Sequence, residues 1–198
     1  MLFSKIFTGV AMACTAMAAA TPQQIADGIG SITQKSQALQ VPAQSITALS
    51  GPQFLLNQGP IPQLITGFAD IVSTGNALIA LFPGTGHINR TIERDEREHA
   101  RDISARGPDA DLVFNAFRAF VRVHQELLNI IIGKAGVLTL FPFVGPPIAA
   151  ALRGVEGIVD TITITLIGLL QDHVDDLTAE ANSLTDTLDL AIQTYANL

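Results

Sequence analysis

Apolar residues recur at steps of three and four through almost every segment longer than ten residues, and nowhere does the chain alternate apolar with polar as a half-buried strand must. Such a chain can bury its apolar faces only by laying helices against one another. Thr21 and Pro22 suit an N-cap and first helical position, and Ile25, Ile29, Ile32, Leu39 and Ile46 follow at helical spacing, with Pro42 expected to kink or split the element. Ser50, Gly51 and Pro52, then Gly59, Pro60 and Pro62, punctuate the chain before a second helix marked by Ile65, Phe68, Val72 and Ile79. A third is lined by Val113, Phe117, Phe120, Val121, His124, Leu128 and Ile131, and a fourth runs from Ile148 through Leu152, Val155, Val159, Ile162 and Leu166 to Leu169. Leu177, Ala181, Leu184, Leu188, Ala191 and Tyr195 form a seam whose spacing allows it to continue the helix before it. The expected fold is all-α: an antiparallel bundle of four to five helices with Pro/Gly-rich turns.

The first twenty residues read differently. Lys5 precedes an apolar run from Ile6 to Met17 and the small residues Ala18, Ala19 and Ala20, the layout of a secretory signal peptide cleaved after Ala20. Residues 1–20 are therefore expected to be removed, leaving a single domain over 21–198. The one cysteine, Cys14, would leave with the leader, so no disulfide would staple the secreted domain and its stability would rest on an ordinary core. The formal charge of −7 argues against nucleic acid or an anionic membrane as partner. Asn89, in the sequence Asn-Arg-Thr, is a candidate glycosylation site on an exposed turn, extracellular or in a cell wall.

Charge is distributed unevenly. Between Gly28 and Gly86 only Lys35 and Asp70 are charged, whereas fourteen charges fall between Arg90 and Arg122. The run from Arg90 to Arg106 has Glu93 placed for Arg97 and Asp102 for Arg106, which suits a solvated helix face. Eighteen uncharged residues separate Lys134 from Arg153, but Pro142, Pro146, Pro147, Gly136 and Gly145 cut them into pieces too short for a transmembrane helix.

Catalytic patterns are lacking. There is no G-x-S-x-G elbow, and the G-x-G at Gly28 and Gly30 follows no strand. Glu96 with His99 and His173 with Asp176 share helix faces without a wider ligand set, so they read as surface polar pairs, while His124 reads as a hydrogen-bonded core histidine. The sequence implies no enzyme, metal or cofactor.

What it does contain is apolar material barred from regular structure. The stretch "LTLFPFVGPPI", Leu138 to Ile148, is uncharged and broken by three prolines and a glycine, and a second "LFP" closes the helix before the charged run. If the charged run counts as an intervening helix, both triplets end at one pole and gather Phe82, Leu140, Phe141, Phe143 and Val144 into an apolar surface. Three phenylalanines there suffice for adsorption, at about 25 cal/mol per Å² buried. The same rings can instead fold inward and cap the core. A second possibility is an internal lipid cavity lined by Phe114, Phe117, Phe120 and Ile131, because the chain has more apolar residues than a small bundle needs.

The segments "TPQQIADGIGSITQKSQALQVPAQSI", "VHQELLNIIIGKAG", "LRGVEGIVDT" and "LDLAIQTY", in a cysteine-free acidic helical chain behind a signal peptide, resemble the fungal hydrophobic surface-binding protein A family, related to the cell-wall galactomannoproteins. The resemblance implies a secreted helical protein that adsorbs to wax, cuticle or polyester and recruits a secreted hydrolase such as a cutinase. It also implies the alternative of a cell-wall bundle that binds fatty acids. It assigns no functional residues.

Overall fold

The computed structural model describes residues 20–83, 85 and 107–198. The leader apart from Ala20, the sequon at Asn89, the pair Glu96 and His99, and the charged run from Arg90 to Arg106 lie outside these residues. The described chain is all-α and holds no strand: α1 (Pro22–Gln44), α2 (Ser50–Leu55), α3 (Pro60–Ile79), α4 (Pro108–Leu138), α5 (Gly145–Leu169) and α6 (Val174–Ala196), with single 3₁₀ turns at Pro142–Val144 and Gln171–His173.

Local chemistry sets the boundaries. The Thr21 hydroxyl accepts from the Gln24 amide at 3.2 Å, and the Gln24 side chain accepts in return from the Thr21 amide at 2.9 Å, which satisfies two of the first-turn donors of α1. Pro42 neither splits nor ends α1 at once; it sits in the last turn, and the helix closes two residues later. Prolines occupy the opening positions of α3, α4 and α5, where a missing N–H removes no intrahelical bond. The α5–α6 seam is not one helix. The chain breaks at Leu170, turns through Gln171–His173 and leaves at 113°.

The five long helices close into a ring in the spatial order α1, α3, α5, α6, α4. Consecutive long helices alternate in direction: Lys35 of α1 pairs with Asp70 of α3, and Gly28 faces Leu78. Neighbours in the ring that are not consecutive run parallel. Ser36, Gln40 and Ile46 meet His124, Glu126 and Lys134 in rising order along α1 and α4. Asp111, Arg118, Gln125 and Ile131 meet His173, Glu180, Ser183 and Tyr195 in rising order along α4 and α6. The molecule therefore has an upper end, where α1, α4 and α6 finish and α3 and α5 start, and a lower end with the reverse.

A single apolar core runs between the ends, including Ile25, Phe68, Phe117, Leu128, Leu152, Leu184 and Tyr195. The Tyr195 hydroxyl donates to the Ile131 carbonyl at 2.7 Å, and burial pushes its ionisation above the usual tyrosine range.

Candidate functional site

The arrangement of the ends corrects the expected gathering of both LFP triplets. They close helices that run in opposite directions, so α3 delivers Phe82 to the lower end and α4 delivers Leu140, Phe141 and Phe143 to the upper end. Phe82, 7% exposed, is folded into the core, which is the inward-capping alternative. Val144 is fully buried, because the 3₁₀ turn in which its amide bonds the Phe141 carbonyl at 3.0 Å sends it to the inner side of the bundle. Two of the five expected surface residues thus do not face outward. Leu140, 75% exposed, and Phe143, 42% exposed, do; Phe141 is half-buried against the core.

A segment not singled out from sequence completes the patch. The link between α1 and α3 carries α2, whose Gly51 lies against the Phe141 ring so closely that a β-carbon there would collide with it. Phe54 of α2 stacks on Phe143 with centroids 6.3 Å apart and planes 22° apart, and Phe143 meets Phe141 edge-on at 6.1 Å. Beyond this aromatic layer stand Leu49, Leu55 and Leu56, each about 70% exposed, with Val41 and Val137 at the rim. Eight of the eleven exposed large apolar side chains among the described residues lie on the segments that form this end: Val41, Leu49, Leu55, Leu56, Val137, Leu140, Phe143 and Leu190.

The same end is nearly free of charge. Lys35 and Asp70, paired with each other, bracket thirty-four uncharged residues that form the α1–α2–α3 turn. Residues 135–152 and 190–197 carry no charged side chain, and Lys134, just below, directs its ammonium at the Ile46 carbonyl at 3.4 Å. Apolar matter can lie on this end without stripping water from an ion, the step that makes charged surfaces costly to dehydrate.

The four side chains considered for a lipid cavity are core residues. Phe117 packs on Phe120 at 6.3 Å, Phe120 on His124 at 5.3 Å, and Phe114 on His173 at 4.6 Å, while Ile131 is fully buried. Two surface grooves among the described residues, of about 690 and 590 Å³, are lined by other side chains, Gln63, Thr66 and Ser73 in one and Arg118, Arg122 and Glu180 in the other.

Both described histidines are buried. His124 accepts or donates at Nδ1 to the Ser36 hydroxyl at 2.9 Å, its Nε2 has no partner, and burial holds its pKa down at about 4. The Ser36 hydroxyl also lies 3.1 Å from the Ile32 carbonyl; when its one proton is given there, it accepts from His124 Nδ1–H, which fits a structural role in the core. His173, expected to form a surface pair with Asp176, is instead 1% exposed: the 3₁₀ turn folds it beneath the first turn of α4. Its Nε2 lies 3.0 Å from an Asp111 carboxylate oxygen and its Nδ1 4.0 Å from Asp176, and neither nitrogen makes an aligned hydrogen bond. Among the described residues no group of three or more His, Cys, Asp or Glu side chains is placed to hold a metal ion, and no single helix is long and apolar enough to cross a membrane. No protein-family model matches this chain, and neither does any curated protein or solved structure compared with it.

Proposed function

We propose that this chain is a secreted, non-catalytic protein that adsorbs to apolar surfaces such as wax, cuticle or polyester through the upper end of its bundle. The observation that carries the proposal is the coincidence of two independent distributions at one end. Eight exposed large apolar side chains lie on the segments where five helices carry almost no charge. A scatter of single exposed leucines would need no explanation, but their concentration at one charge-poor end around the Phe54–Phe143–Phe141 layer favours an interaction surface. The charged lower two-thirds then stays in water and keeps adsorbed molecules from burying their sides.

The resemblance to the hydrophobic surface-binding protein A family supports the same role. It extends the proposal to recruitment of a secreted cutinase-like hydrolase, for which the water-facing remainder is the available surface. The discriminating experiment is quartz-microbalance adsorption of residues 21–198 on an alkane-coated sensor, with Leu55, Leu56, Leu140 and Phe143 replaced together by serine. At ~1 kcal/mol for each of the four truncated chains, the adsorption constant is expected to fall about a thousandfold. Adsorption unchanged by the four substitutions, with the fold intact by circular dichroism, removes the upper end from the proposal.

A further inference from the structure

The apolar end is built in two layers, and the layer between water and core is the shortest α-helix of the fold. The six-residue α2 is shorter than any helix that holds together alone in water, and no side chain caps its N-terminus. Its inner face meets the aromatic layer through Gly51 on the Phe141 ring, a contact without an interlocking side chain, and through the Phe54–Phe143 stack. Its outer face offers Leu55, and the C-cap Leu56 next to it, to water. Apart from the exposed Gln53, α2 is therefore apolar on both faces. On its C-terminal side the chain passes through Asn57 at φ 54° and Gly59 at φ 84°, two left-handed positions within three residues, of the kind that absorb large dihedral changes at a hinge.

From this geometry we propose that α2 is a hinged cover: on contact with a fluid apolar phase it lifts from Phe141 and Phe143, so that the protein adsorbs through the outer leucines and the inner aromatic layer together. The inference rests on adsorption through the upper end, and it specifies the partner as a phase that can flow around a displaced helix. In water the seated position is favoured because it hides Phe54 and most of Phe141. Against hydrocarbon that reason vanishes. The rings, each able to bury about 200 Å², gain the same environment outside as inside, while the lifted helix keeps its backbone bonds internal.

The chain contains no tryptophan, so a single introduced indole reports its own surroundings. Leu140→Trp and Phe141→Trp are prepared separately in residues 21–198 and mixed with an emulsion of 1-bromohexadecane, whose bromine quenches indole on contact. Leu140→Trp reports adsorption alone, since Leu140 is already exposed. The proposal expects Phe141→Trp, shielded from aqueous acrylamide in solution, to be quenched on the droplets to about the same extent as Leu140→Trp. Quenching of Leu140→Trp without quenching of Phe141→Trp overturns the cover while leaving adsorption intact; quenching of neither overturns adsorption itself. Gly51→Ala provides the second arm, because its β-carbon cannot seat against the Phe141 ring. It is expected to make Phe141→Trp acrylamide-accessible in solution and to speed adsorption about tenfold, as a prepaid opening step would. An unchanged adsorption rate in a Gly51→Ala protein whose indole has become accessible contradicts the role of lifting in adsorption.

Discussion

The two ends of the bundle are made from the same kinds of helix terminus and treat apolar residues in opposite ways. At the lower end, among the described residues, Phe82, Phe114 and Leu169 are buried and His173 is sealed under α4, while Asp109, Asp172 and Asp175 share the surface with the exposed Leu81, Leu112 and Ile164. At the upper end Leu49, Leu55, Leu56 and Leu140 stand in water and almost no side chain is charged. The lower end shows that this fold can tuck its aromatic residues away and finish in carboxylates. Exposure of aromatic rings at the upper end is therefore not forced by the bundle, and the proposed contact with an apolar phase would account for it.

The contrast can be broken most severely by planting charge. Leu56→Asp with Leu140→Asp is expected to abolish adsorption to an alkane surface, since each carboxylate must be dehydrated at a cost of several kcal/mol or neutralised. Leu112→Asp, near the lower end, should leave adsorption as it was, and the sensor used for the serine variants reads both.

Next in size is an acid effect located between the ends. The His124 pKa is held down at about 4 by burial, so below pH 6.5 the unfolded chain binds a proton that the native state refuses. Stability contributed above pH 6.5 is then lost as pH falls toward 4, up to roughly 3 kcal/mol at 1.36 kcal/mol per pH unit. Urea titrations between pH 7 and pH 4 should show this slope, and His124→Leu should flatten it. Adsorption measured on still-folded protein should not follow it, because His124 touches neither end.

A smaller effect separates a tightly packed glycine from one that faces open space. A β-carbon at Gly145 would strike the Tyr195 carbonyl, a backbone atom that cannot step aside, so Gly145→Ala should cost about 1–3 kcal/mol and lower Tm by several degrees. Gly157, on the same helix, faces open space, and Gly157→Ala should be neutral or stabilise by up to about 1 kcal/mol. Smallest is the acid pair across α5 and α6. Burial, Asp189 and Asp160 together raise the Glu156 pKa against a lowering influence from Arg153, so Glu156 is less willing to ionise in the native state than in the unfolded chain. Stability therefore falls as pH rises through that window, and Asp189→Asn should reduce the fall in the same titrations.

Much of this architecture is legible in the sequence. Three-and-four spacing gives the helices, the Thr21–Gln24 capping box gives the start of α1, and the prolines of "LFPFVGPPI" give an irregular apolar turn at Leu140 to Val144. The direction of α4 is not legible, because it depends on how the charged run before it is counted, and that choice moved Phe82 to the wrong end. Nor does spacing show that Val144 faces in while Phe143 faces out; a one-residue difference on a 3₁₀ turn decides it. The α5–α6 seam keeps its heptad spacing across a bend that only tertiary packing imposes. The missed α2 did leave a signal: "GPQFLLNQGP" is, like "LTLFPFVGPPI", an uncharged apolar cluster caged by Pro and Gly, and the structure lays the two against each other.

The upper end is tested most directly by hydroxyl-radical footprinting of residues 21–198, free and adsorbed on an alkane surface, read by mass spectrometry. Adsorption through the upper end should protect Leu49, Leu55, Leu56, Leu140 and Phe143 while Leu81 and Leu112 remain labelled as in solution. Protection spread evenly over the surface, or concentrated at Leu81 and Leu112, would contradict it.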